Sequence, residues 1–212
     1  MMNSNIRRAL LLACCAVLLV CMSVGATLAY LTSKDSVTNT FTVGKVAITL
    51  DEAPVDANGQ EIDGDRVKAN TYHLLPSKTY DKDPTIHIDD ASEEAYLRIE
   101  VSFNKASATD KILPMADLAA AANVFKGLDA SKWTIVDNTV ANDVRTYVLQ
   151  YNEKISGKTA DIVIFTNVVV PSNLTNDQIA ELAGVEMTIV AKAIQSEGFE
   201  SAAEAFAAFP AE

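Results

Sequence analysis

The first apolar run of the chain, Ala9 to Tyr30, is interrupted only by Ser23, Gly25 and Thr27 and follows the basic pair Arg7 and Arg8. Charge ahead of an apolar run holds the N-terminus inside and sends the remainder outward. At about 20 residues the run is long enough to span a bilayer as an uncleaved anchor. Its basic start, apolar middle and small-residue end also have the anatomy of a signal peptide. Thr27 and Ala29 supply the small side chains that a signal peptidase needs before the bond it cuts, so cleavage is expected between Ala29 and Tyr30. The sequence then becomes polar and rich in Ser and Thr up to Asn39, without helical periodicity.

Beyond that point the dominant pattern is alternation. Thr40 to Leu50 reads as a strand, rich in β-branched residues and broken by Gly44. Ala95 to Phe103 places Leu97, Ile99, Val101 and Phe103 on one face and Arg98, Glu100 and Ser102 on the other. Trp133 to Asp137, Val144 to Tyr151, Asp161 to Val170 and Val185 to Gln195 are strand-like as well. Ile162 to Phe165 is apolar on both faces, as a central, fully covered strand would be. Asn58-Gly59 is a tight-turn dipeptide, since both residues tolerate positive φ. Pro76, Pro84 and Pro171 punctuate loops. Helices are expected over Met115 to Phe125, over Asn176 to Ala183 after an N-cap at Thr175 and before Gly184, and over Ser201 to Phe209.

Many strands with few, short helices predict a mainly β chain. The expected fold is a jelly-roll-like antiparallel β-sandwich with short helical insertions, preceded by the signal-peptide helix. The expected division is 1–29 as signal peptide and 30–212 as one β-sandwich domain.

Charge and cysteine content narrow the function. The net charge of the 212 residues is −11, with 17 basic against 28 acidic side chains. The leader holds Arg7 and Arg8 and no acid, so the remainder is more acidic still. Such a surface repels nucleic acid and anionic lipid. No nucleic-acid partner is expected, and membrane contact only through an uncleaved leader. All three cysteines, Cys14, Cys15 and Cys21, lie in the apolar run. An exported domain without cysteine is stabilised by its core and not by disulfides.

Catalytic signals are sparse. The chain has no His-Glu-x-x-His helix, no Gly-x-Ser-x-Gly elbow and no Gly-rich phosphate loop. Its two histidines are His73, after Tyr72, and His87, in the short strand Thr85 to Ile88, where an outward orientation is the simplest reading. They are the candidate metal ligands, together with Asp81 or Asp83, but no metal, cofactor or catalytic residue is expected. Asp56 to Asp65 resembles a calcium loop only superficially, because the glycine is misplaced and Val67 stands where the bidentate Glu belongs. It reads as an exposed acidic hairpin.

Several stretches together carry a family likeness. They are Gly25-Ala26-Thr27-Leu28-Ala29-Tyr30 with Ser33-Lys34-Asp35 and Asn39 to Gly44, Leu74 to Pro84, Ala95 to Ile99, and Ala193 to Phe199. In these the chain resembles the TasA/camelysin family of bacterial exported proteins, whose leaders are processed by a dedicated SipW-type signal peptidase. Relatives often carry Pro-Gly where this chain has Pro76-Ser77, and Ala-Trp where it has Ala205-Phe206. The resemblance implies a secreted jelly-roll domain that assembles with itself into fibres of an extracellular (biofilm) matrix or cell surface; the sparse catalytic signals make a non-enzymatic role the expectation. The segment freed by cleavage, residues 30–41, is then a donor strand with Tyr30, Leu31, Val37 and Phe41 as anchors. It pairs between subunits or within its own, because an extended segment can add to any exposed sheet edge, or it stays a disordered tail. The alternatives are a camelysin-like surface metallopeptidase and a cell-surface binding or adhesin module.

Overall fold

Alternation in Ala95–Asn104 (β4) sets the centre of the fold. Leu97, Ile99, Val101 and Phe103 are all buried, while the residues between them are half-exposed. Each fully buried aliphatic side chain of this kind contributes about 1.5–3 kcal/mol. A computed structural model describes Cys14, Cys15 and Val17, then residues 44–112 and 117–209. Val43–Glu212 forms one compact unit, distinct from Met1–Thr42. The junction Ala29–Tyr30 and the anchors Tyr30, Leu31, Val37 and Phe41 lie outside the described residues.

The remaining strands are β1 (Ile48–Asp51), β2 (Thr79–Asp81), β3 (Thr85–Ile88), β5 (Phe125–Lys126), β6 (Trp133–Ala141), β7 (Val144–Tyr151), β8 (Ile162–Val163), β9 (Asn167–Val169) and β10 (Met187–Gln195). The helices are α1 (Ala106–Ile112), α2 (Leu118–Val124), α3 (Asn176–Glu181) and α4 (Ala202–Ala207). The chain is mainly β and all ladders between these strands are antiparallel.

One four-stranded sheet runs β10-β4-β7-β6. Two three-stranded sheets, β1-β3-β8 and β2-β9-β5, lie end to end. Thr79 faces Val169 and Asp81 faces Asn167; beyond a gap in strand geometry, Thr85 faces Val163 and Ile86 faces Ile162. Lys82 N–H to Thr166 O and Ile164 N–H to Pro84 O carry the ladder through the gap in the same register. The two small sheets are therefore one bent layer. Its Ile86, Ile88, Ile162, Ile164 and Phe165 share a single core with Leu97, Ile99, Trp133, Leu149 and Tyr151 of the other layer. Phe125 packs against Phe165 with its ring tilted and centroids 4.8 Å apart, and Trp133 meets Tyr151 edge-on at 4.9 Å.

Local departures from the sequence pattern have local causes. Of the strand expected over Thr40 to Leu50, residues 40–43 lie outside the described residues. Over 44–47 the backbone meets the 89–93 turn, with Glu93 N–H donating to Lys45 O and Asp89 N–H to Ala47 O, and β1 follows from Ile48. The strand expected over Asp161 to Val170 is split. Ile164 and Phe165 are buried consecutively, so the backbone turns there, and Val163 is 45% exposed rather than covered. The Asn58-Gly59 turn closes through Gly59 N–H to Asp56 O, with only Gly59 at positive φ (72°). The two-residue hairpin with both central residues left-handed is Asn142-Asp143, joining β6 to β7.

The helices start at side-chain caps. Asp117 accepts from Ala120 N–H, Thr175 forms a capping box with Gln178, and Ser201 accepts from Glu204 N–H. Gly184, at φ 72°, follows α3 as its stop. The helix expected from Met115 begins at Leu118, and Phe125 already belongs to β5.

Ser77 is at φ 63° in the Leu75–Lys78 turn, a conformation that costs a non-glycine residue about 1–2 kcal/mol. Its N–H donates to Pro171 O, a bond that glycine keeps. Ser77→Gly is expected to stabilise the protein by about 1 kcal/mol, less the entropy glycine adds to the unfolded chain. The urea midpoint should rise at unchanged slope.

Candidate functional site

On the outward face of β1-β3-β8 the structure gathers charges that are remote in sequence. His87 sits on β3. Its Nε2 lies 2.9 Å from Asp51 Oδ1, at the end of β1, and its Nδ1 lies 2.7 Å from Asp161 Oδ2, just before β8. The side chain of Arg66 crosses above. Its Nε donates to Asp51 Oδ1, Nη1 to Asp83 Oδ2 at 2.8 Å, and Nη2 to the Asp83 carbonyl at 3.0 Å. Beside this network, Lys82 Nζ donates to Glu52 Oε2, with only 12% and 7% of the two side chains exposed.

The electrostatics follow from the contacts. The hydrogen bond to Asp51 raises the His87 pKa; desolvation opposes it and the bond to Asp161 adds to it. Desolvation pushes Asp51 up, but hydrogen bonds from Arg66 and His87 outweigh it and hold the carboxyl below its ordinary value. Burial depresses the Arg66 pKa, and its bonds to Asp51 and Asp83 more than restore it. With both ring nitrogens turned to carboxylates, His87 has no free nitrogen to offer a metal or a substrate proton.

The two histidines that the sequence offers as candidate ligands have separate partners. His87 meets Asp51 and Asp161 instead of Asp81 or Asp83. His73 is exposed and in no strand, and its carbonyl accepts from Tyr80 Oη. Among the described residues no group of three His, Cys, Asp or Glu side chains is arranged to hold a metal ion.

A cavity of about 360 Å3 opens next to the cluster, lined by Val55, Glu61, Asp81, Asp83, Val163 and Asn167 among others. The carboxylates of Asp81 and Asp83 are already engaged. Asp81 accepts from Asn167 Nδ2 at 2.8 Å and from Glu61 N–H at 2.9 Å, and Asp83 accepts from Ala53 N–H at 2.6 Å. The acidic hairpin forms as a bridge between Val55 and Glu61, with the Asp56 carboxylate capping Asn58 N–H and Gln60 N–H. Around the other acidic loop, Asp89 pairs with Lys45, and Glu94 with Lys154 and Ser196.

The second feature with functional reach is a sheet edge. β10 pairs over nine residues with β4 and, among the described residues, with no strand on its other side. Its inward side chains Met187, Ile189, Ala191 and Ala193 pack against the core yet stay only half-buried. The opposite edge, β6, is interrupted by a bulge between Ile135 and Asp137, a device that blunts edges. Residues 44 and 45 run beside Glu93, next to Glu94, whose carbonyl accepts from Ser196 N–H just beyond β10. Residues 44 and 45 therefore lie near the Gln195 end of that edge.

Comparison with family models, with curated proteins and with solved structures gives no match.

Sequence reasoning missed Asp51, Arg66 and Asp161. The one available signal was that Asp51 and His87 occupy outward positions of neighbouring strands; their register is a long-range property.

Proposed function

We propose that this chain is an exported structural protein, a self-assembling subunit of extracellular-matrix or cell-surface fibres. In this reading residues 30–41, freed by a dedicated signal peptidase, complete the sheet of a neighbouring subunit. The observation that carries it is the β10 edge, long enough to template a donor strand and backed by half-buried apolar side chains. Its bulge-free length contrasts with β6. The residue likeness to TasA/camelysin proteins supports the same reading.

The finer architecture we propose is a jelly-roll variant. When β2 with β3, and β8 with β9, are taken as two long strands, the triplets β10-β4-β7 and β3-β8, β9-β5 follow the inner strand order of a jelly roll. The edges differ: β1 pairs with β3 and β6 with β7, whereas a jelly roll sets its first strand against its last. A donor strand on β10 would restore the position that β1 leaves.

Protein beginning at Tyr30 is expected to form fibres or higher oligomers, scored by sedimentation and electron microscopy. Deletion through Thr40 should abolish them while circular dichroism and the urea midpoint stay unchanged. Undiminished assembly after that deletion would sink the donor-strand reading. Chelator-sensitive cleavage of casein by the same preparation would support the peptidase alternative instead.

A further inference from the structure

We propose that His87 is a pH-released fastener that holds the edge strand β1 onto its sheet. β1 is four residues long and pairs only with β3 among the described residues, so the backbone ladder alone grips it weakly. His87 adds a grip through side chains on both sides of β3. The register places Thr49 and residue 161 directly across from it, with Asp51 on the diagonal.

The geometry dictates the protonation state. A neutral imidazole carries one N–H, and a carboxylate only accepts. Both ring nitrogens of His87 face carboxylate oxygens, at 2.7 and 2.9 Å. Only the imidazolium satisfies both. Once its proton leaves, one nitrogen turns a lone pair towards a carboxylate, and that contact becomes repulsive.

The surrounding groups do not compensate. Arg66 is shared between Asp51 and Asp83, Lys82 is committed to Glu52, and Lys68 donates to the Leu50 carbonyl. Deprotonation therefore leaves Arg66 as the cation shared by Asp51 and Asp83 and breaks the His87 tie that joins Asp51 to Asp161, so β1 keeps only its short backbone ladder to β3 across this face. The elevated pKa of His87 agrees in sign: a group whose folded pKa is raised stabilises fully below its unfolded value and loses that contribution as pH rises through the folded value. Asp51, shifted down, contributes above its unfolded value and loses its share as pH falls through the folded one. Grip on β1 is thus strongest between the ordinary Asp and His values, at about pH 4 to 6.5.

The test uses the full chain. With two histidines in the sequence, the His87 ring can be assigned and followed by NMR. Amide exchange of Ile48–Asp51, corrected for intrinsic pH dependence, should accelerate about tenfold between about pH 5 and pH 9, the worth of one charge-assisted hydrogen bond. Its midpoint should coincide with the His87 titration. In His87→Gln the profile should be flat. In Asp161→Asn, an exposed position that tolerates change, the ring titration and the exchange midpoint should fall together. Flat exchange in the unaltered chain, an unchanged profile in His87→Gln, or midpoints that separate in Asp161→Asn would each overturn the proposal.

Discussion

Lys82→Met should destabilise the protein by about 3–5 kcal/mol, the cost of leaving a buried charge without its partner. The Lys82 and Glu52 side chains are 12% and 7% exposed, so water cannot replace the lost ammonium. Lys82 Nζ also sits 5.5 Å from the Tyr72 ring centroid, in surroundings that bury the phenol and raise its pKa. Adding Glu52→Gln to Lys82→Met removes the stranded charge and should recover most of the loss. Urea unfolding of the single and double variants measures the coupling directly. A single-variant cost under about 1 kcal/mol would mean that the pair behaves like a surface salt bridge.

Gly157→Ala is expected to be comparably damaging, through shape rather than charge. A Cβ at this position would stand 2.0 Å from the Asp90 carbonyl oxygen and 2.5 Å from its carbon. Those atoms are backbone, so no rotamer change relieves the overlap. Neither loop is free to retreat. Gly157 N–H donates to Ser92 O, and Ile155 and Ala95 exchange two backbone hydrogen bonds, at 2.8 and 2.9 Å. We expect a loss of about 3 kcal/mol, at the upper end for overpacking, read as a lowered thermal midpoint. The same turn leads into Asp161, so the His87 titration should also shift in this variant. A folded Gly157→Ala protein with an unmoved midpoint would contradict the packing described.

How legible the fold was depended on how local each element's cause is. β7 spans Val144–Tyr151, the range its alternation predicts, and β4 buries the very side chains its pattern selects. Thr175 and Gly184 mark α3 because cap and stop are properties of single residues. By contrast, β2, β5, β8 and β9 are two or three residues long and exist only because a distant partner lies alongside. α1 carries no clear apolar stripe; it is launched by Lys105 at φ 53°, a conformation no pattern of hydrophobicity encodes. The charge cluster was invisible for the same reason as the short strands. Asp51, His87 and Asp161 meet through the register of three strands, and each residue alone reads as a solvated polar position.

That register has a consequence for how the chain can change. The stretches 82–84 and 164–166 bridge the same gap in the bent layer from opposite sides, and they are equal in length. They work as matched spacers. One residue gained or lost in either alone would put β3 and β8 out of phase with β2 and β9. Ile86 and Ile88 would then face water while His87 turned into the core. A matching change in the other spacer brings both ends back into step. Length variation at this point should therefore be inherited in pairs, by two segments that lie far apart in the chain.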